Sequence, residues 1–325
     1  MNIKPAFLFL CCLTLSGLLF SCVSQSRAAK AAEYYALGMA YFDLGRYDEA
    51  EKWLNQAKSL DKTKLASEYN LGRIAFETGR YEEAIKIFDG ILKRDPDNLM
   101  ILKAAAYSRI KTGEFDEAEK LYEQVLSLVP ESADDGYNYA LVLNAIKKPD
   151  KAEEILAKYP FALLDNKDVL LLYARSQGAQ NKPEAVDSYN QWLINNSDSQ
   201  VQYEFALVLE KNGLYARSLE EYRKILTSLP ADTVDDQNKS GSELRKSTIQ
   251  FSIARLLLSA DPENPDGLTE LDLAVSEGYS DTEALNKLLD DEKVTDSAKE
   301  AIRKIIDELE KDRKDNSTEG TDEGL

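Results

Sequence analysis

The sequence predicts an all-α fold, a solenoid assembled from about six tandem helical repeats. Three observations point there. The chain matches itself at a shift of thirty-four residues: ALGMAYFDLGRYDEA (Ala36 to Ala50) returns as NLGRIAFETGRYEEA (Asn70 to Ala84) and again as AAYSRIKTGEFDEA (Ala105 to Ala118). Within a copy the apolar and small residues recur at i, i+3, i+4 and i+7, the period of a helix. Composition agrees, since 43% hydrophobic and 30% charged residues with only 15 Gly and 9 Pro in 325 suit a helix-rich body with a core to bury.

The first residues lie apart from the repeats. MNIKP carries Lys4, and an uncharged run follows from Ala6 to Phe20. One positive charge and a short apolar run fit a secretory signal peptide, and the run is short for a spanning helix. The next residues, LFSC from Leu19 to Cys22, resemble the bacterial lipoprotein box. That resemblance implies a signal peptide over 1–21 and a lipidated tether over 22–30 beginning at Cys22. It implies a bacterial envelope location and, with Val23 rather than Asp after Cys22, favours the outer membrane, at its periplasmic face or surface. An ordinary leader with incidental cysteines is the alternative. Cys11 and Cys12 leave with the leader, so the mature chain has no disulfide to form.

Residues 31–230 hold the repeats. Gly45, Gly79 and Gly113 end the first helix of each copy, where a left-handed cap favours glycine. Ala50, Ala84 and Ala118 keep the second helix small at one point, and Phe88 and Tyr122 fill the space a turn later. Pro96 and Pro130 close their units. This pattern resembles the tetratricopeptide repeat. The resemblance implies two antiparallel helices per unit, a right-handed superhelix, and first helices that line its concave surface. It also implies that Gly38 and Gly72 are the small residues where the two helices of a unit cross.

Later copies are weaker. Asp134 to Leu156 keeps Ala140 and Ala152 without the turn glycine, Asp168 to Leu193 is offset by one residue, and Val201 to Leu226 recovers Gly213 and Tyr222. Residues 231–242 read as a polar loop, 243–312 as a degenerate repeat with capping helices, and 313–325 as a disordered acidic tail.

Aromatics divide into two stripes. Tyr34, Leu37, Gly38 and Tyr41 occupy helix-packing positions, with Tyr47 opening the second helix. One residue round the helix, Tyr35, Met39 and Phe42 form a second stripe. It returns as Tyr69, Arg73 and Phe76, then as Lys103, Tyr107 and Ile110, then as Tyr137, Leu141 and Asn144, and finally as Tyr203, Leu207 and Glu210. Packing of successive first helices is one reading of this stripe. A binding groove, apolar with basic points at Arg73, Lys103 and Lys111, is the other, because tyrosine offers large area at low entropy cost. The expected function is therefore a membrane-anchored scaffold or adaptor that binds a protein or peptide of the envelope. The alternative is a solute-capture lipoprotein associated with a transporter, holding a small apolar ligand in the superhelix pore. The lysine and asparagine carboxylate clamp known in the family is absent, since Tyr35 and Met39 stand where it needs Lys and Asn.

Other classes are disfavoured. A formal charge of −18 repels phosphate backbones, so no nucleic acid partner is expected. With no histidine the commonest general base and metal ligand is missing, and no catalytic motif replaces it. No enzyme activity, cofactor or metal is expected. DPENPDG has Pro265 where a calcium loop needs an oxygen ligand.

Overall fold

A computed structural model describes residues 27–60, 64–229, 244–262 and 264–319, with side chains as far as 311. Seventeen helices and no strand occur among these residues. The first hairpins are α1 (27–43) with α2 (Tyr47–Lys58), α3 (Lys64–Glu77) with α4 (Tyr81–Leu92), α5 (Leu99–Thr112) with α6 (Phe115–Leu128), and α7 (Ala133–Ala145) with α8 (Pro149–Leu156). A short α9 (Pro160–Asp165) precedes α10 (Lys167–Ala179) and α11 (Glu184–Asn195), then α12 (Ser199–Lys211) and α13 (Tyr215–Ser228). The chain closes with α14 (Lys246–Ala260), α15 (Asp266–Ser276), α16 (Thr282–Asp290) and α17 (Asp296–Glu319). Two compact units divide it, Met1–Val169 and Leu170–Leu325.

Each hairpin is built on three columns of residues. The first helix contributes a small residue: Gly38, Gly72, Ala106, Ala140, Ala174 and Ala206 are all buried. The second helix answers with Ala50, Ala84, Ala118, Ala152, Ala185 and Ser218, also buried. One turn on, Leu54, Phe88, Tyr122, Leu156, Tyr189 and Tyr222 fill the space. Six hairpins thus share one packing scheme, including those whose sequence match is weak. The approach is closest at Gly72, where an added Cβ would lie 2.5 Å from Phe88 Cε1. No rotamer change of a core aromatic absorbs that overlap cheaply.

The turn inside each hairpin needs one left-handed residue. Glycine serves at Gly45, Gly79, Gly113 and Gly213. In the fourth and fifth hairpins the same position falls to Lys147 (φ 60°) and Asn181 (φ 56°). The turn forms regardless: Lys148 N–H donates to Leu143 O at 2.8 Å, as Glu114 N–H does to Arg109 O at 2.9 Å. Asparagine tolerates this region, whereas lysine holds it at a cost of about 1 kcal/mol. The missing glycine therefore left the repeat intact.

Ion pairs join neighbouring hairpins. Arg80 bonds Glu51 at 2.8 Å, and two repeats later Lys148 bonds Glu119 at 2.6 Å in the same register. Between them the equivalent of the acid is Ile85, which is buried instead. Hydrogen bonding from Lys148 holds the Glu119 carboxyl below its ordinary value of 4.5.

Three boundaries differ from expectation. The first helix already includes residues 27–30 of the segment expected as tether, because Ala28, Ala29, Ala31 and Ala32 are strong helix formers. The helix α9 has no counterpart among the expected elements and buries none of its residues. The last helix continues to Glu319, through the start of the expected tail, since no Gly or Pro interrupts it from Asp296 onward. Residues 1–26, Cys22 among them, and the loop expected at 231–242 lie outside the described residues.

Three outcomes follow in urea denaturation. Gly72→Ala should cost roughly 1–2 kcal/mol, overpacking outweighing the gain in helix propensity. Gly90→Ala, which meets nothing within 4 Å, should instead stabilise by about 0.5–1 kcal/mol. Lys148→Gln should lower stability slightly at pH 7, as expected for a solvent-screened pair. Because the folded-state value of Glu119 is depressed, its contribution is complete above pH 4.5 and is lost as pH falls through the lowered value. Wild type and Lys148→Gln should therefore converge in stability on acidification below pH 4.5.

Candidate functional site

In the first unit the second stripe of α1, α3, α5 and α7 forms a ladder of contacts from one repeat to the next. Tyr35, Met39 and Phe42 are half-buried and pack against Ala50, Leu54, Leu71 and Ile74. Asn70, buried on α3, donates to Tyr35 Oη at 3.0 Å and to Ala66 O at 2.9 Å. Its Oδ1 accepts from Arg73 Nη1 at 3.1 Å. That bond aims the Arg73 guanidinium, which lies 4.4 Å from the Phe42 ring centroid and 5.9 Å from that of Tyr69. Asn70, the one residue matching a clamp position, is thus spent on structure.

The next rung is aromatic. Phe76 tilts against Tyr107 on α5 with centroids 5.1 Å apart and meets Tyr81 edge-on at 5.2 Å. Lys111 Nζ lies 5.4 Å from the Tyr107 centroid. Tyr107 itself is 47% exposed, and Leu141 on α7 is 41% exposed. Cation–π contacts of this kind contribute about 0.5–1 kcal/mol when exposed. Neither Arg73 nor Lys111 has a carboxylate within ion-pair distance among the described residues.

Lys103 differs from the other two cations. Its Nζ sits 2.6 Å from Asp135 Oδ2 on α7, and the buried Asp135 carboxylate also accepts from Ser132 Oγ at 2.6 Å. Lys103 is therefore a repeat-to-repeat link. Tyr137 is half-buried on the same helix. The inner edges of the stripe pack hairpins together, and Tyr107 and Leu141 remain open to solvent.

Tyr203 belongs to the second unit, on α12. Its Oη lies 3.3 Å from Ser252 Oγ and its ring is 5.7 Å from Tyr222. It lines a cavity of 590 Å³ together with Leu207, Glu210, Phe251, Arg255 and Tyr279. Arg255 Nη2 donates to Glu210 Oε1 at 2.8 Å and Oε2 at 2.7 Å, and Tyr222 Oη donates to Oε1 at 2.5 Å. Burial, and then Glu210, raise the Tyr222 hydroxyl above its ordinary value of 10, so it stays a donor. Arg255, Phe251 and Tyr279 escaped sequence reasoning because they sit in the degenerate repeat, where no register assigns them to a face. The one available signal was Glu210, the single charged residue at its stripe position.

A family model described as a tetratricopeptide repeat matches residues 27–89, and a second of the same description matches 109–176. No curated protein matches the chain. Among solved structures, a tetratricopeptide repeat protein from Parabacteroides merdae is 19% identical, over 86% of this chain and 99% of that one, with a TM-score of 0.54. This likeness is one of fold. A pilF structure from Pseudomonas aeruginosa is 17% identical over 64% of this chain and 95% of its own, with a TM-score of 0.49. A MamA segment from Desulfovibrio magneticus RS-1 is 17% identical over 65% and 98%, with a TM-score of 0.40. Nothing is drawn from the last two.

Proposed function

We propose that this chain, a tetratricopeptide repeat protein, is a non-catalytic scaffold that holds a protein or peptide of the bacterial envelope on the aromatic strip of α1, α3, α5 and α7. The observation that carries the reading is the exposure of Tyr107, with Lys111 over its ring, and of Leu141 at the corresponding stripe of the next repeat. Such a strip can take apolar side chains along its aromatic edges and an acidic residue at either cation. Tyr35, Phe42, Tyr69 and Phe76 shape the strip from within the packing, and Met39 fills between them.

The anchor rests on sequence. The leader over 1–21 and the LFSC stretch support lipidation at Cys22 and an outer-membrane location. No helix of the described residues is long and apolar enough to cross a membrane. The solute-capture reading finds its support away from the strip, in the cavity beside Tyr203.

Two measurements test the proposal. A photo-crosslinking residue placed at position 107 in intact cells should trap a defined envelope protein, and Tyr107→Ala with Leu141→Ser should abolish the adduct of a second probe at position 100. That double variant should lose less than about 1 kcal/mol per site, because both side chains are already exposed. Loss of fold or an unchanged adduct would sink the strip. Cys22→Ala should move the protein from the membrane to the soluble periplasmic fraction on cell fractionation. Retention in the membrane would overturn the lipid anchor.

A further inference from the structure

The cavity of the second unit has chemistry that neither the repeat scheme nor the strip uses. It is walled by α12, α14 and the start of α16, all within Leu170–Leu325. Its volume of 590 Å³ falls inside the range of about 300–1,000 Å³ typical of small-molecule sites. Phe251 and Tyr279 stack face to face along one wall, with centroids 4.1 Å apart and planes 11° from parallel. Tyr203 and Leu207 face into the same space.

The polar side is a partly spent arginine. Glu210 receives two bonds from Arg255 Nη2 and one from Tyr222, which fills its near lone pairs. Arg255 keeps Nε and Nη1, three N–H donors in all, without an acceptor among the described residues. Its side chain is 33% exposed, so it is not sealed inside the protein. Lys211 follows Glu210 on the same helix, lines the same cavity, and has no ion pair among the described residues. Asp281 is the one further acid on the wall, and its Oδ1 is committed to capping α16 through Ala284 N–H at 3.0 Å.

Nε–H and Nη1 lie on either side of Cδ rather than on one fork, so a second carboxylate meets this guanidinium through a single charge-assisted bond, with the Lys211 ammonium supplying another. The aromatic stack beside it offers an apolar bed. We propose that this cavity binds a carboxylate carried on an apolar or aromatic body, with Arg255 and Lys211 on the carboxylate and the Phe251–Tyr279 stack on the body. Two sources share this chemistry, a free small acid and the C-terminal residue of a peptide. Glu210 is the positioning residue: it holds the guanidinium plane and does not touch the ligand. Thr248 lines the cavity with a further hydroxyl, whereas Ser252 Oγ already donates to Thr248 O at 3.0 Å.

Calorimetric titration of the full chain tests this with phenylacetate and octanoate against phenylacetamide and octanamide. A hexapeptide ending in phenylalanine, as free acid and as amide, completes the panel. The acids should bind one to one and the amides at least tenfold more weakly. Arg255→Lys, which can still pair with Glu210 but loses the Nη1 donor, should weaken acid binding at least tenfold. Ala284→Leu, which fills the cavity, should abolish binding with little change in melting temperature. Binding of the peptide acid assigns a chain terminus as a source, and binding of the small acids alone assigns a free metabolite. Equal binding of acids and amides, or no binding by any probe at millimolar concentration, overturns the proposal, and the wild-type comparison stands even where a variant fails to fold.

Discussion

The close approach of two helices at a small residue is the constraint on which every hairpin depends. Gly72 against Phe88 is its tightest case, and Ala140 and Ala174 repeat it with one more carbon. A small residue on the first helix lets the second come near enough for a large side chain to cover it. That contact sets which face of the first helix turns inward. It also decides, one residue round, which face is left over for the neighbouring hairpin and for solvent. The alanine column and the left-handed turn follow from the same need for two helices to lie antiparallel at short range.

The second stripe is what this geometry leaves. Its residues touch the next repeat through their inner edges, as Phe42 does with Arg73 and Phe76 with Tyr107. Their outer edges are free to hold something else. Packing and binding are thus two sides of the same rings. Buried neighbours of the stripe such as Asn70 cannot be changed without loosening the stack, whereas the exposed Tyr107 can. The cations divide by the same logic, Lys103 neutralised by Asp135, Arg73 held by Asn70 over the Phe42 ring, and Lys111 over Tyr107.

Most of the hairpin architecture was legible in the sequence because it rests on residue size at fixed spacing. Gly45, Gly79 and Gly113, the alanines at 50, 84 and 118, and Phe88 and Tyr122 all stand where the period places them. The fourth turn was harder to read, since Lys147 adopts a conformation its residue type does not advertise. The short α9 was invisible because exposed Phe161 and Leu164 carry no periodic signal over six residues. At the site, the order of the stripe could be read, but not the division of its residues between packing and exposure. Whether Lys103 is free or paired depends on Asp135, thirty-two residues away, and spacing alone does not join them. The Arg255 cluster was out of reach because its members come from helices whose register the degenerate repeat no longer declares.

The links between hairpins also bear on how the chain reaches this structure. In the first unit the side-chain hydrogen bonds that cross repeats join residues 16 to 35 apart, as in Tyr139 with Glu123, Arg109 with Asp89, Arg80 with Glu51 and Asn70 with Tyr35. Each closes a loop of similar, modest length, so the entropic penalty for adding a hairpin is nearly the same anywhere in the stack. A unit wired in this way has no single obligatory nucleus. Any well-formed hairpin can template its neighbour, and growth during synthesis can proceed from the N-terminus as each new pair of helices emerges. In the second unit Arg255 reaches back forty-five residues to Glu210. By the same logarithmic rule that bond costs only a few tenths of a kcal/mol more to close than Asn70 with Tyr35, so the cavity can form along with the helices that wall it.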